Sequence, residues 1–104
     1  MWGDGQASAT AGADGVATAT IRPTGRQSWT VSQVTVSMTD APSTALCELR
    51  KNSAIVVPYL LAQGDTAGND PPVVLRHNDY LRIIWSRCTP GNVGQVYYIY
   101  DDGT

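Results

Sequence analysis

Apolar and polar residues alternate along most of the chain after Gly15. Residues 16–22 and 28–39 each alternate with a period of two, which is typical of half-buried β-strands. Within residues 28–39 the parity of the apolar positions changes near residues 32–33, and this change predicts a β-bulge or bend. Pro23 and the turn sequence that follows it separate the two predicted strands.

The second half of the chain repeats this arrangement of short strands and turns. Pro58 limits one of these strands, which is therefore expected either to lie at a sheet edge or to end there. Residues 59–72 open apolar and then become rich in Gly, Asp and Asn, which predicts a loop. A turn at residues 77–79 is expected to divide residues 73–88 into two strands. The strongest strand patterns cover residues 44–51, 54–57, 81–86 and 93–100.

The composition favours an all-β fold. The 104 residues include one Lys and one Glu but many Val and Thr, so strong helix formers are scarce and residues suited to pleated surfaces are common. Seven or eight short antiparallel strands predict a single β-sandwich, or jelly roll, over residues 15–104. Residues 1–14 are small and polar, and they predict a flexible arm or a strand that orders only against a partner.

The net charge and the lack of long apolar runs bear on which classes of partner the chain could bind. Seven Lys and Arg against nine Asp and Glu give a net charge of −2, which predicts neither a nucleic-acid partner nor an anionic membrane surface. No run of apolar residues reaches the roughly 18–20 that a membrane span needs. The first residues lack the basic and apolar regions of a secretory signal.

The titratable residues do not form a recognisable catalytic or metal-binding pattern. His77 is the only histidine and lies in a predicted turn. Asp65 and Asp70 lie in a Gly-rich segment without the spacing of an EF-hand loop. Asp101 and Asp102 are adjacent and would point apart on a strand. We therefore predict no enzyme activity, no catalytic residue, no metal and no cofactor.

Cys47 and Cys88 are the two thiols of the chain. Cys47 shares a face with Ala45 and Leu49, whereas Cys88 lies on the face opposite the apolar side of its strand. This parity favours two buried, free thiols over a disulfide, although a bulge between the strands would allow the pair to meet.

Aromatic residues are the candidates for partner binding. Trp29 and Trp85 alternate with Val and Ile and are expected in the core. The last strand is apolar on both faces, so one face needs a cover, and we interpret that cover as a subunit contact. The predicted partner-binding residues are Trp2, Tyr97, Tyr98 and Tyr100.

Three segments taken together resemble a known family of proteins. They are GVATATIRPTGRQSWTVSQVTVSM, the Cys-bearing STALCELRKNS, and the closing GDTAGNDPPVVLRHNDYLRIIWSRCTPGNVGQVYYIYDDGT. Their order resembles that of small β-sandwich virion proteins of tailed phages that infect actinobacteria. The chain departs from that pattern at HNDYL, where the family has Gly before the Asp, and at SRC after Trp85, where Gly is more usual.

The resemblance implies a structural protein of the phage particle. The first hypothesis is a capsid decoration protein on the exterior of the virion, which binds the major capsid protein and copies of itself, with trimers favoured. The second is a minor tail or baseplate component. The third is a host-surface carbohydrate-binding module, for which exposed aromatic rings would be required.

Overall fold

Eight β-strands make up the fold. The computed structural model describes the backbone of residues 1–104 and the side chains of residues 1–68 and 72–104. The strands are β1 (Trp2–Thr10), β2 (Ala17–Ile21), β3 (Trp29–Met38), β4 (Leu46–Lys51), β5 (Ala54–Leu61), β6 (Gly64–Leu75), β7 (Leu81–Ser86) and β8 (Val93–Asp101).

The chain folds like one long hairpin that is rolled into two packed sheets. Antiparallel pairs join β1 to β8, β2 to β7, β3 to β6 and β4 to β5. Two further pairings, β3 with β8 and β4 with β7, complete the sheets. The first sheet has the order β1-β8-β3-β6 and the second β2-β7-β4-β5. This is the strand order of a jelly roll, so the predicted all-β sandwich is confirmed.

One hydrophobic core lies between the sheets. Alternate residues of each strand point into it, because successive side chains of a strand lie on opposite faces. Six fully buried core residues are Val31, Val34 and Val36 of β3 and Leu81, Ile83 and Trp85 of β7. Among the described residues no buried side chain is polar or charged. The polar and charged residues of the described chain therefore lie on its outer surfaces and in its loops.

The predicted irregularity of the third strand is a β-bulge. The pairing register of β3 shifts between Val31 and Gln33 against both of its neighbours, β6 and β8. Because of this extra residue, Val31 and Val34 both face the core although they are three positions apart.

The N-terminal segment differs from the expectation of an arm outside the domain. Within residues 1–14, β1 pairs with β8 in an unbroken register from Trp2 opposite Asp101 to Thr10 opposite Val93. Its inward positions are Gly and Ala, and these small residues concealed the period-two pattern that the structure reveals. The segment is therefore an edge strand of its own domain.

The predictions for Pro58 and for the loop that follows it have different outcomes. Of the two possibilities for Pro58, an edge strand or a strand end, the structure has the edge strand, because β5 continues through Pro58 to Leu61. The loop prediction is wrong, since most of the predicted loop belongs to β6. Both strands lie at the edges of their sheets, where one hydrogen-bonding side is unpaired and Pro and Gly are tolerated. Turn-forming residues at a sheet edge therefore resembled a loop in the sequence.

Candidate interaction surfaces

A groove crosses the outer face of the first sheet. It has a volume of about 310 Å³ and is formed by three neighbouring strands, β1, β8 and β3. We call it the polar groove, and its outward side chains are Gln6, Ser8, Thr35, Ser37, Gln95 and Tyr97. The strand register arranges them in two rows of three, because Tyr97 is paired with Gln6 and Thr35, and Gln95 with Ser8 and Ser37.

Tyr97 is the aromatic residue of the polar groove. Its hydroxyl donates a hydrogen bond of 2.7 Å to Oδ2 of Asp4, and this bond raises the pKa of Tyr97 above its usual value. Asp4 is the diagonal neighbour of Tyr97 across the β1–β8 pair, so the bond draws the ring along the sheet. The side chain is held in place while 36% of the residue stays exposed.

The other two tyrosines of β8 face the opposite way. Tyr100 stacks on Trp29 with ring centroids 3.8 Å apart, and Tyr98 lies 6.0 Å from the same indole. A Cβ added at Gly3 would lie 2.8 Å from the Tyr100 ring, and one at Gly5 would overlap Tyr98. The glycines thus let β1 lie directly over both rings. These two rings are therefore covered within the chain, whereas Tyr97, on the other face of β8, stays exposed.

Trp2 stands apart from this inner cluster. It is 64% exposed on the outer face of the first sheet and is paired with Asp101. It lies on the same face of β1 as Gln6, four residues away. Of the four predicted partner-binding residues, Trp2 and Tyr97 therefore share an outer face, whereas Tyr98 and Tyr100 are half-buried inside the sandwich. The partner contact itself stays a prediction.

The edge strand of the second sheet presents a different surface. Ile55, Tyr59 and Leu61 of β5 are 55%, 54% and 48% exposed. We call these three residues the apolar strip. Leu61 is paired with Leu46 of β4, which is half-buried on the same outer face and extends the apolar surface inward from the edge. This surface was not apparent in the sequence, because the predicted strand covered only residues 54–57 and did not join Ile55 to Tyr59 and Leu61.

The histidine and the aspartates considered above occur at separate places in the fold, in turns and at the C-terminus. His77 is exposed in the turn between β6 and β7. Asp65 accepts hydrogen bonds from the backbone amides of Leu61 and Thr66 and so holds the β5–β6 turn. The Asp70 side chain lies outside the described residues. Asp102 accepts hydrogen bonds from the Thr104 hydroxyl and amide, which lower the pKa of Asp102 to about 2.

Among the residues whose side chains are described, no three His, Cys, Asp or Glu side chains cluster as metal ligands would. The described chain also contains no helix with the length and apolar character needed to cross a membrane.

Both cysteines are buried and free. Burial raises the pKa of Cys47 to about 12, because the thiolate would lose its hydration inside the core. The same effect raises the pKa of Cys88. The thiol form, which is a weak nucleophile, therefore persists at neutral pH.

We expect neither thiol to react with Ellman's reagent in the folded protein at pH 8 within minutes. Denaturation in guanidinium without reductant should release two reactive thiols per chain, and the variants Cys47→Ser and Cys88→Ser should each release one. A denatured protein with no reactive thiol would instead indicate a disulfide.

Comparisons with known proteins extend the description of the fold. No protein-family model and no curated protein matches the sequence. Among solved structures, the crystal structure of FLHE is similar, with a TM-score of 0.57, 19% identity and coverage of 95% of this chain and 96% of that chain. A second match is dimeric latent PorU from Porphyromonas gingivalis, with a TM-score of 0.39, 10% identity and coverage of 98% of this chain and 13% of that chain. At this level of identity, the likeness to FLHE shows a shared fold alone.

Proposed function

We propose that this chain is a non-enzymatic structural protein of a bacteriophage particle. In this proposal it decorates the exterior of the capsid, binding the major capsid protein and copies of itself. The sequence resemblance to small virion proteins supports the phage assignment. The apolar strip on β5 is the structural observation that carries the proposal.

The apolar strip has the character of a protein contact surface. Three large apolar side chains on one strand are each about half exposed, and half-buried Leu46 lies beside Leu61. Large contiguous apolar patches are rare on monomeric proteins and mark interaction sites, and the centres of protein interfaces are more apolar than the rest of the surface. A protein partner that covers the strip would remove this surface from water.

The backbone of β5 favours a contact through side chains over the addition of a further strand. Pro58 has no N–H to offer to a neighbouring strand. The pairing of β5 with β4 is also irregular, with register shifts between Cys47 and Leu49 and between Leu49 and Arg50. Proline and bulges are the features by which natural sheet edges resist pairing with other chains.

Quantitative mass spectrometry of purified virions tests the proposal. The particles are those of the phage that encodes the chain, and copies of this chain are counted against the major capsid protein. A number comparable to that of the capsid subunit supports decoration. A few copies per particle would instead indicate a minor tail or baseplate component. Absence of the chain from the particle would refute the virion proposal.

Replacing the apolar strip should weaken the capsid contact. We expect the triple variant Ile55→Ser, Tyr59→Ser, Leu61→Ser to bind at least ~100-fold less tightly to capsids stripped of the native protein, since a few central apolar residues dominate most interfaces. The matched control is Val74→Ser with Val93→Ser, which changes two apolar residues of the first sheet that are 44% and 41% exposed. Full rebinding by the triple variant would exclude the strip as the contact.

A further inference from the structure

We infer that the polar groove binds a neutral saccharide. The inference is independent of the proposed virion role, because it concerns the outer face of the first sheet, whereas the apolar strip belongs to the second sheet. It rests on the shape of the groove, on the chemistry of its side chains and on the position of the Tyr97 ring.

The side chains of the groove combine hydrogen-bond donors and acceptors without a formal charge. Gln6 and Gln95 each supply an amide, which both donates and accepts, and Ser8 and Ser37 each supply a hydroxyl. Within the described part of the chain, none of these four side chains has a hydrogen-bond partner in the protein. Sugar hydroxyls both donate and accept, so they match this set of groups.

The charges around the polar groove indicate which polar ligands it can bind. Among the described residues, the lining of the groove contains no Lys or Arg to neutralise a phosphate, sulfate or carboxylate group. Asp4, whose carboxylate accepts the hydrogen bond from the Tyr97 hydroxyl, would repel an anion. The groove therefore favours an uncharged ligand over an acidic one.

Tyr97 supplies the apolar part of the recognition. A pyranose ring has a face of C–H groups, which packs against an aromatic ring, while its hydroxyls point sideways. The hydrogen bond to Asp4 keeps the Tyr97 ring in one orientation, so little side-chain entropy is lost when a ligand binds. The volume of about 310 Å³ lies at the lower end of the range for small-molecule sites and suits a short segment of a glycan.

Titration of the ¹⁵N-labelled protein with defined trisaccharides tests the inference. The probes are cellotriose, chitotriose, mannotriose and galactotriose, with trigalacturonic acid as the acidic counterpart of the last. We expect at least one neutral trisaccharide to shift amide signals of β1, β3 and β8 around the groove, with a dissociation constant of about 1 mM or below. We expect trigalacturonic acid to bind at least ~10-fold more weakly than the neutral sugar that binds best.

Variants identify the groove as the site. Tyr97→Ala should weaken binding at least ~10-fold, whereas Tyr97→Phe, which keeps the ring, should stay within about threefold of the parent protein. Gln6→Ala with Gln95→Ala gives a second test if the first variant folds poorly. Thr20→Ala, at an exposed position of β2 in the other sheet, is the matched control and should bind normally.

Three outcomes would overturn the inference. The first is that no neutral trisaccharide shifts the groove signals at about 10 mM. The second is that trigalacturonic acid binds as tightly as the neutral sugars. The third is that the folded groove variants bind as well as the Thr20→Ala control.

Discussion

Deleting residues 1–10 is expected to lower the midpoint of thermal unfolding by about 10 °C or more, which corresponds to roughly 2 kcal/mol for a domain of this size. The deletion removes the full pairing of β1 with β8. It also exposes the Tyr98 and Tyr100 rings, which β1 covers through Gly3 and Gly5. The stability lost with the β1–β8 hydrogen bonds is partly offset, because the deletion also removes the entropy cost of ordering residues 1–10. The exposure of the two tyrosine rings to water therefore makes the larger contribution to the loss of stability.

Circular dichroism during heating provides the measurement, and Trp2→Ala provides the control. Trp2 belongs to the same strand but is largely exposed, so its replacement should change the free energy of unfolding by less than about 0.5 kcal/mol. An unchanged midpoint after the deletion would restore the interpretation of residues 1–14 as an arm that contributes nothing to the domain.

The strands that sequence patterns predicted well are those with large inward side chains. In β3 and β7, bulky apolar residues occupy alternate, inward positions, and the outward positions are polar apart from Ile84, so the pattern indicates a strand clearly. The bulge in β3 was visible for the same reason, because Val31 and Val34 have the wrong spacing for a regular strand. β1 escaped detection because its inward residues are Gly and Ala, whose role depends on the rings of Tyr98 and Tyr100 beneath them.

The candidate surfaces were harder to predict because they join strands that are distant in sequence. Parity alone places Tyr97 opposite Tyr98 and Tyr100, and the structure agrees with that division. The polar groove, however, depends on β8 lying between β1 and β3, which brings Gln6 and Thr35 to either side of Tyr97. No local pattern encodes that neighbourhood, since it follows from the rolled topology of the whole chain.

The jelly roll keeps the two candidate surfaces apart. The polar groove lies on the outer face of the first sheet, and the apolar strip lies at the edge of the second. A protein partner that covers Ile55, Tyr59 and Leu61 would therefore leave Tyr97 exposed. The two proposals are compatible on one particle, and each can fail without the other because their variants lie in different sheets.

Gly94→Ala is expected to destabilise the protein by about 3 kcal/mol, which is the upper part of the range for overpacked cores. Gly94 faces the core from β8, and an added Cβ would lie 2.7 Å from two atoms of the Trp85 ring and 2.9 Å from a third. Trp85 is fully buried, so its indole has little room to move away. Chemical denaturation measures the loss, and Gly64→Ala is the control because a Cβ there meets no atom within 4 Å.

A second substitution shows whether the loss comes from this overlap. Among the described residues, the indole Nε1 of Trp85 has no hydrogen-bond partner, so packing alone holds the ring and Trp85→Leu sacrifices no such bond. Trp85→Leu is itself destabilising, because it leaves a cavity. If the added methyl group at position 94 collides with the indole, removing the indole should relieve the collision. The loss of stability in the double variant should then be smaller than the sum of the two single losses by at least about 1 kcal/mol. Strict additivity would mean that Gly94 is required for its backbone and not for the space it leaves to Trp85.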